Sequence, residues 1–103
     1  MIKVSVLYPS GKGNSFNMGY YLATHIPLVR RLGGAALKRV EVEQGIGGLV
    51  PGSAPAYLAM GHLFFDSVAT FQAAFEPNMA VITGDIPNYT NTQPTIQISE
   101  VKL

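Results

Sequence analysis

The amino-acid sequence predicts an α+β domain: a four-stranded antiparallel sheet with two helices, in the chain order β-α-β-β-α-β. Three observations predict it. Period-two alternation near the start, the middle and the end of the chain reads as strands. Two stretches of helical spacing separate them, each opened by capping residues and closed by glycine or proline. With right-handed crossovers, that order closes into a ferredoxin-like split βαβ sandwich with both helices on one face. The 103 residues form a single domain, 1–103, able to bury roughly 65% of the surface its unfolded chain exposes.

Each element has its own signal. Ile2 to Tyr8 alternates, with Ile2, Val4, Val6 and Tyr8 on one face and Lys3, Ser5 and Leu7 on the other, as a strand requires. Pro9 to Asn14 is turn-rich, and Asn14 or Ser15 is a natural N-cap for the first helix. That helix should run to about Leu32 and stop at Gly33-Gly34. Ala36 to Gln44 reads as a second strand, with Val40 and Val42 inward and Arg39, Glu41 and Glu43 outward, a one-sided polarity that suits an edge. Gly45 to Pro55 is too rich in glycine and proline for regular structure and is a candidate mobile lid. Tyr57 to Phe65 is the third strand. Asp66-Ser67 caps a second helix carrying Val68, Phe71, Ala74 and Phe75 on one stripe, and Pro77 restarts a helical turn reaching Ile82. Asp85 to Asn91 is a cluster of turn formers before the last strand, Pro94 to Val101.

The third strand is apolar on both sides. Leu58, Met60, His62 and Phe64 alternate against Tyr57, Ala59, Gly61, Leu63 and Phe65, and helices can cover only one set. An uncovered apolar face of that size usually finds a partner, so a face-to-face homodimer is expected, its two sheets forming a dimeric α/β barrel. Ala59 and Gly61 leave room for a cavity beneath the helices.

Composition excludes much. Charged residues are 13% of the chain, hydrophobic residues 48%, and the net charge is +1 with no basic run. No electrostatic footprint for nucleic acid or an anionic membrane is present. Without cysteine, disulfides, thiolate catalysis and Cys-ligated metals are ruled out, and the composition fits the cytoplasm. Met1 to Ser5 opens on alternation without an apolar run, so no signal peptide is apparent. Gln44 to Phe65 lacks Asp, Glu, Lys and Arg, but its glycines and prolines would break a membrane-spanning helix. Neither Gly11-x-Gly13 nor Gly45-x-Gly47-Gly48 completes a nucleotide fingerprint, and two histidines at unrelated spacing make no metal site, though one could serve as an axial haem ligand. No cofactor is implied.

The first helix carries the most informative segment. At helical spacing Met18, Tyr21, Leu22, His25, Leu28, Val29 and Leu32 share one stripe, which sets an imidazole into a core-facing surface. Such a group must be hydrogen-bonded or face a pocket. Pro27 removes a backbone donor from the Ala23 carbonyl and pushes Ile26 away from helical dihedrals, which puts His25 at a kink or a helix restart.

Phe16, Tyr20-Tyr21, His25 and Pro27-Leu28, then Gly61 to Ser67, then Asp85-Ile-Pro-Asn-Tyr-Thr-Asn91 with Pro94, Gln97-Ile98 and Glu100-Val101, resemble the EthD family. These segments span nearly the whole chain. The resemblance implies a small protein of the dimeric α/β-barrel superfamily associated with ethyl tert-butyl ether degradation and oxidoreductase-related catabolism. The wider superfamily includes cofactor-independent monooxygenases, lactone isomerases and haem-degrading proteins, an analogy of fold alone.

His25 is the candidate general base and Tyr21, one turn earlier, its hydroxyl partner, a pair suited to deprotonating a carbon acid. The packing alternative is that the two satisfy one another in the core. Met18 and Leu22 are expected to line the ligand pocket, and Asn88 and Tyr89 to rim its mouth. Asp85, Asn88 and Asn91 otherwise read as Asx-turn residues. His62, of opposite parity to Ala59 and Gly61, reads as an interface or structural residue. The expected partners are a second copy, a small apolar ligand and a separate oxygenase system. Two function classes stay open: an enzyme or accessory protein of oxidative catabolism, and a carrier of a hydrophobic intermediate.

Overall fold

A computed structural model describes all 103 residues. Strand β1 (Ile2–Pro9) lies inside the sheet, β3 (Tyr57–Phe65) beside it, and β2 (Arg39–Gln44) and β4 (Thr95–Glu100) form the edges, in the order β2-β3-β1-β4 with every pair antiparallel. This is the expected βαββαβ arrangement. The registers Val4↔Leu63, Val6↔Gly61 and Tyr8↔Ala59 put these residues on the face the helices cover. The opposite set of the third strand, Met60, His62 and Phe64, pairs with Leu7, Ser5 and Lys3 on the open face.

Helix α1 covers residues 18–33 in three parts: an α-turn Met18–Tyr20, a π-helical stretch Tyr21–His25 and an α-helix Ile26–Gly33. Its N-cap is Asn17, whose side chain accepts from the Tyr20 N–H, rather than Asn14 or Ser15. Chain geometry explains the shift, because Phe16 is still extended and bridges to Thr90. The expected break at Pro27 is replaced by the π-turn. Ile26 N–H donates to the Tyr21 carbonyl, five residues back, and Ile26 keeps helical dihedrals of −62° and −43°. Widening the turn lets the chain pass a residue with no N–H without a kink. The extra residue also rotates the buried stripe: Tyr21, His25, Ile26, Val29 and Gly33 are buried, whereas Leu22 is 52% exposed. The helix stops at Gly34, whose φ of +55° favours glycine.

Helix α2 (Val68–Phe75) begins at a capping box in which Ser67 Oγ accepts from Thr70 N–H and Thr70 Oγ1 accepts from Ser67 N–H. After a single 3₁₀ turn containing Pro77, α3 (Met79–Asp85) follows. The core falls into two clusters. One joins Ile2, Val4, Val29, Leu63, Phe65 and Phe75; the other joins Tyr8, Tyr21, Ile26, Ala59 and Tyr89. No helix is long and apolar enough to cross a membrane.

The segment 45–56 departs from the expected lid. It is a structured arm with a turn closed by Ser53 N–H to the Val50 carbonyl at 3.0 Å and Gly48 N–H to the Ser53 carbonyl at 3.1 Å. It leaves the sheet on the β2–β3 side, and none of its residues lines the cavity under the helices.

Candidate functional site

A mostly apolar cavity of about 120 Å³ lies between the helices and the sheet, at the seam of the two core clusters. Val4, Val6, Gly61 and Leu63 form its floor, Val29 and Phe75 its helical walls, and Ile96 with Met79 an exposed rim. Its size is of the order that holds a benzene-sized molecule. Gly61 is essential to the shape. A Cβ at that position would run into the Tyr21 hydroxyl, which lies directly over the strand.

The polar features of the cavity are His25, Thr83 and the tyrosine hydroxyls. His25 Nδ1 meets Asp85 Oδ2 at 2.8 Å, while Asp85 Oδ1 accepts from Tyr20 OH at 2.6 Å and Asn88 Nδ2 at 3.0 Å. A carboxylate accepts only, so Nδ1 carries the proton and Nε2 is the basic nitrogen. Nε2 has one hydrogen-bond partner, the Tyr89 hydroxyl at 3.4 Å, which is itself 2.7 Å from Tyr8 OH. An ordered line, Tyr8–Tyr89–His25–Asp85–Tyr20, therefore runs from the cavity to the surface.

Burial sets the charge states. Desolvation lowers the His25 pKa below its ordinary value, and the Asp85 carboxylate only partly offsets this. For Asp85, burial acts upward, but the hydrogen bonds from Tyr20, Asn88 and His25 outweigh it and hold the carboxyl below the usual range. Desolvation pushes the Tyr8, Tyr21 and Tyr89 hydroxyls far up, so all three stay neutral. The result is a neutral imidazole, oriented by a carboxylate, beside neutral hydroxyl donors.

The expected site residues fall in three places. Tyr21 and His25 both line the cavity, but their rings stack at 5.4 Å and 16° rather than bonding through the hydroxyl. Tyr89 takes that role. Met18 does not line the inner cavity; with Asn88 and Tyr89 it borders a separate, open outer groove. Leu22 lies outside both, because the π-turn rotates it to solvent. Asp85, Tyr8 and Tyr20 were missed as site residues. Asp85 sits in a turn-former cluster, which masks a carboxylate aimed at a residue 60 positions away. Asn91 is structural: it accepts from Ser15 N–H at 2.9 Å and donates to the Gly13 carbonyl at 2.8 Å. His62 lies on the open face between Ser5 Oγ and Glu43 Oε1, each at 2.9 Å. No three His, Cys, Asp or Glu side chains converge on a common point.

The family pattern of the EthD domain matches residues 15–93, a span that contains His25, Asp85 and Tyr89. The chain belongs to the EthD family. Among solved structures, an EthD-like protein from Ralstonia eutropha JMP134 superposes with a TM-score of 0.95 at 42% identity, over 99% of this chain and 92% of that one. An ethyl tert-butyl ether (EthD) family protein from Bacillus halodurans C-125 gives 0.75 at 21% identity over 99% of each chain. HapK from Hahella chejuensis gives 0.63 at 11% identity over 99% of this chain and 93% of that one, a likeness of fold alone. No curated protein matches the chain. In this EthD chain the Asp85–His25 pair joins the first helix to the turn cluster, two of the segments that carry the family resemblance.

Proposed function

We propose that this EthD protein works as a homodimer that binds a small apolar molecule in the cavity beneath α1, with His25 as general base, in oxidative degradation of ether-like or other xenobiotic compounds. One observation carries the reading. His25 lines a mostly apolar cavity with Nδ1 committed to Asp85 at 2.8 Å, while the one hydrogen-bond partner of Nε2, the Tyr89 hydroxyl, stands at 3.4 Å. Packing alone gives no reason to leave the basic nitrogen of a buried imidazole with only a long contact.

The chemistry is proton abstraction from a carbon acid. Nε2 takes a proton from an activated C–H, Asp85 steadies the imidazolium that forms, and Tyr89, fed by Tyr8, donates to the developing enolate oxygen. Returning the proton to another carbon is an isomerisation; surrendering the carbanion's electrons to dioxygen is the first step of a cofactor-independent oxygenation. The ether-degradation setting rests on the family association.

Cyclopentanone is a suitable probe because it is benzene-sized and carries exchangeable α-protons. Its hydrogen–deuterium exchange in D₂O, followed by NMR, should be accelerated by the protein and fall by roughly 10²-fold in His25→Gln. Binding without accelerated exchange favours the carrier reading, in which the long Tyr89 contact seals Nε2 and the protein hands its ligand to a separate oxygenase. No binding of cyclopentanone or toluene removes both.

A further inference from the structure

The two edges of the sheet are protected unequally. The β2 edge carries Arg39, Glu41 and Glu43, the charges that ordinarily discourage strand addition. At the β4 edge there are none between Ile86 and Ser99, and Ile96 and Ile98 on the helix-side face are 56% and 43% exposed. Ile96 also forms part of the cavity rim. The arm at 45–56 is equally free of charge. Internal hydrogen bonds shape it, yet it presents Ile46 at 96% exposure and Leu49 at 100%. Ser10 ties the base of the arm at Pro55 and Ala56, but every residue from 46 to 54 is exposed, and an apolar tip held out in this way is built to pack on something else.

The arm and the β4 strip cannot meet within one chain, because they lie on opposite sides of the sheet. They do lie at the same end of it. Gln44 pairs with Ala59 and Ala59 with Tyr8 at the base of the arm, and Thr95 pairs with Leu7 next to Tyr8. A two-fold axis between two facing sheets, running along the strands, sets the β2 edge of one copy against the β4 edge of the other without reversing the strands. Each arm then arrives at the Thr95–Ile96 end of its partner. An arm of this length reaches about 20 Å, against about 10 Å between packed sheets, enough to turn around the edge.

We infer that the arm of each protomer wraps the β4 edge of a second copy of this chain and closes its cavity, with Leu49 and Ile46 packed on the partner's Ile96 and Ile98. The inference rests on the homodimer of the preceding section. It makes the site incomplete in a lone chain: each cavity takes its outer wall from the other protomer, and an isologous pair satisfies both arms at once.

The absence of cysteine supplies a clean test. A chain carrying both Leu49→Cys and Ile96→Cys should form a disulfide-linked dimer under mild oxidation, at least 10-fold more than either single variant alone, since a disulfide needs Cα atoms about 4.4–6.8 Å apart. Sedimentation of the reduced double variant separates the two claims. A reduced dimer that does not cross-link overturns the arm and leaves the sheet-face dimer standing; a reduced monomer overturns both. As a second readout, Leu49→Asp should keep the dimer while weakening toluene binding at least 10-fold. Unchanged toluene binding in a dimeric Leu49→Asp protein would overturn the closing role.

Discussion

His25 and Asp85 make opposite demands on the fold. Burial favours a neutral imidazole, while the carboxylate beside it favours a charged one, and burial wins. The consequence for stability has a definite sign. A histidine whose folded pKa lies below its unfolded value of 6.5 binds fewer protons folded than unfolded, so stability is lost as pH falls below 6.5. Asp85, also lowered, adds a second loss at more acid pH, below its ordinary 3.8. Thermal melts between pH 7.5 and 5 should therefore show an acid destabilisation that His25→Gln reduces. At pH 7 the same variant should cost about 1 kcal/mol or less. Gly61→Ala tests the cavity wall. Its new methyl displaces the Tyr21 hydroxyl, so calorimetry should show a loss of about 1–3 kcal/mol together with the loss of toluene binding.

At the scale of elements, period and turn chemistry made most of the fold legible in the sequence. The strands, the Gly34 stop and the Ser67 cap each depend on a few adjacent residues, and such signals survive folding. What could not be read depended on pairing at a distance. The helix start moved to Asn17 because Phe16 bridges to Thr90, and Leu22 left the buried stripe because a π-turn, not a kink, absorbs Pro27. The candidate site was half legible: His25 stood out as an imidazole on an apolar face, whereas Asp85 was hidden among turn formers and Tyr8 on an ordinary strand face. Because the Ser67 cap is local, Ser67→Ala should cost about 0.5–2 kcal/mol in a denaturant titration without affecting toluene binding. Pro27→Ala is the complementary probe. It restores the missing N–H and allows the π-turn to relax toward α, which would carry His25 out of register with Asp85. Loss of the 2.8 Å contact should appear as a rise in the exchange rate of the His25 ring proton by NMR.

For the whole molecule, the open sheet face is more polar than strand alternation suggested. Phe64 lies under the Arg39 guanidinium at 4.4 Å, and His62 is tied to Ser5 and Glu43. A partner must therefore satisfy polar groups as well as cover Met60 and Phe64. Sedimentation at micromolar concentration should give a dimer, and Met60→Asp should convert it to monomer without unfolding it. The central claim, a neutral imidazole oriented by Asp85 with its Nε2 open to the cavity, is tested most directly by the ¹⁵N NMR signals of the His25 ring during a phenol titration at pH 7. The account predicts a neutral tautomer protonated on Nδ1, with the Nε2 resonance moving as the phenol hydroxyl donates to it. An imidazolium at pH 7, a proton on Nε2, or a resonance indifferent to bound phenol would contradict it.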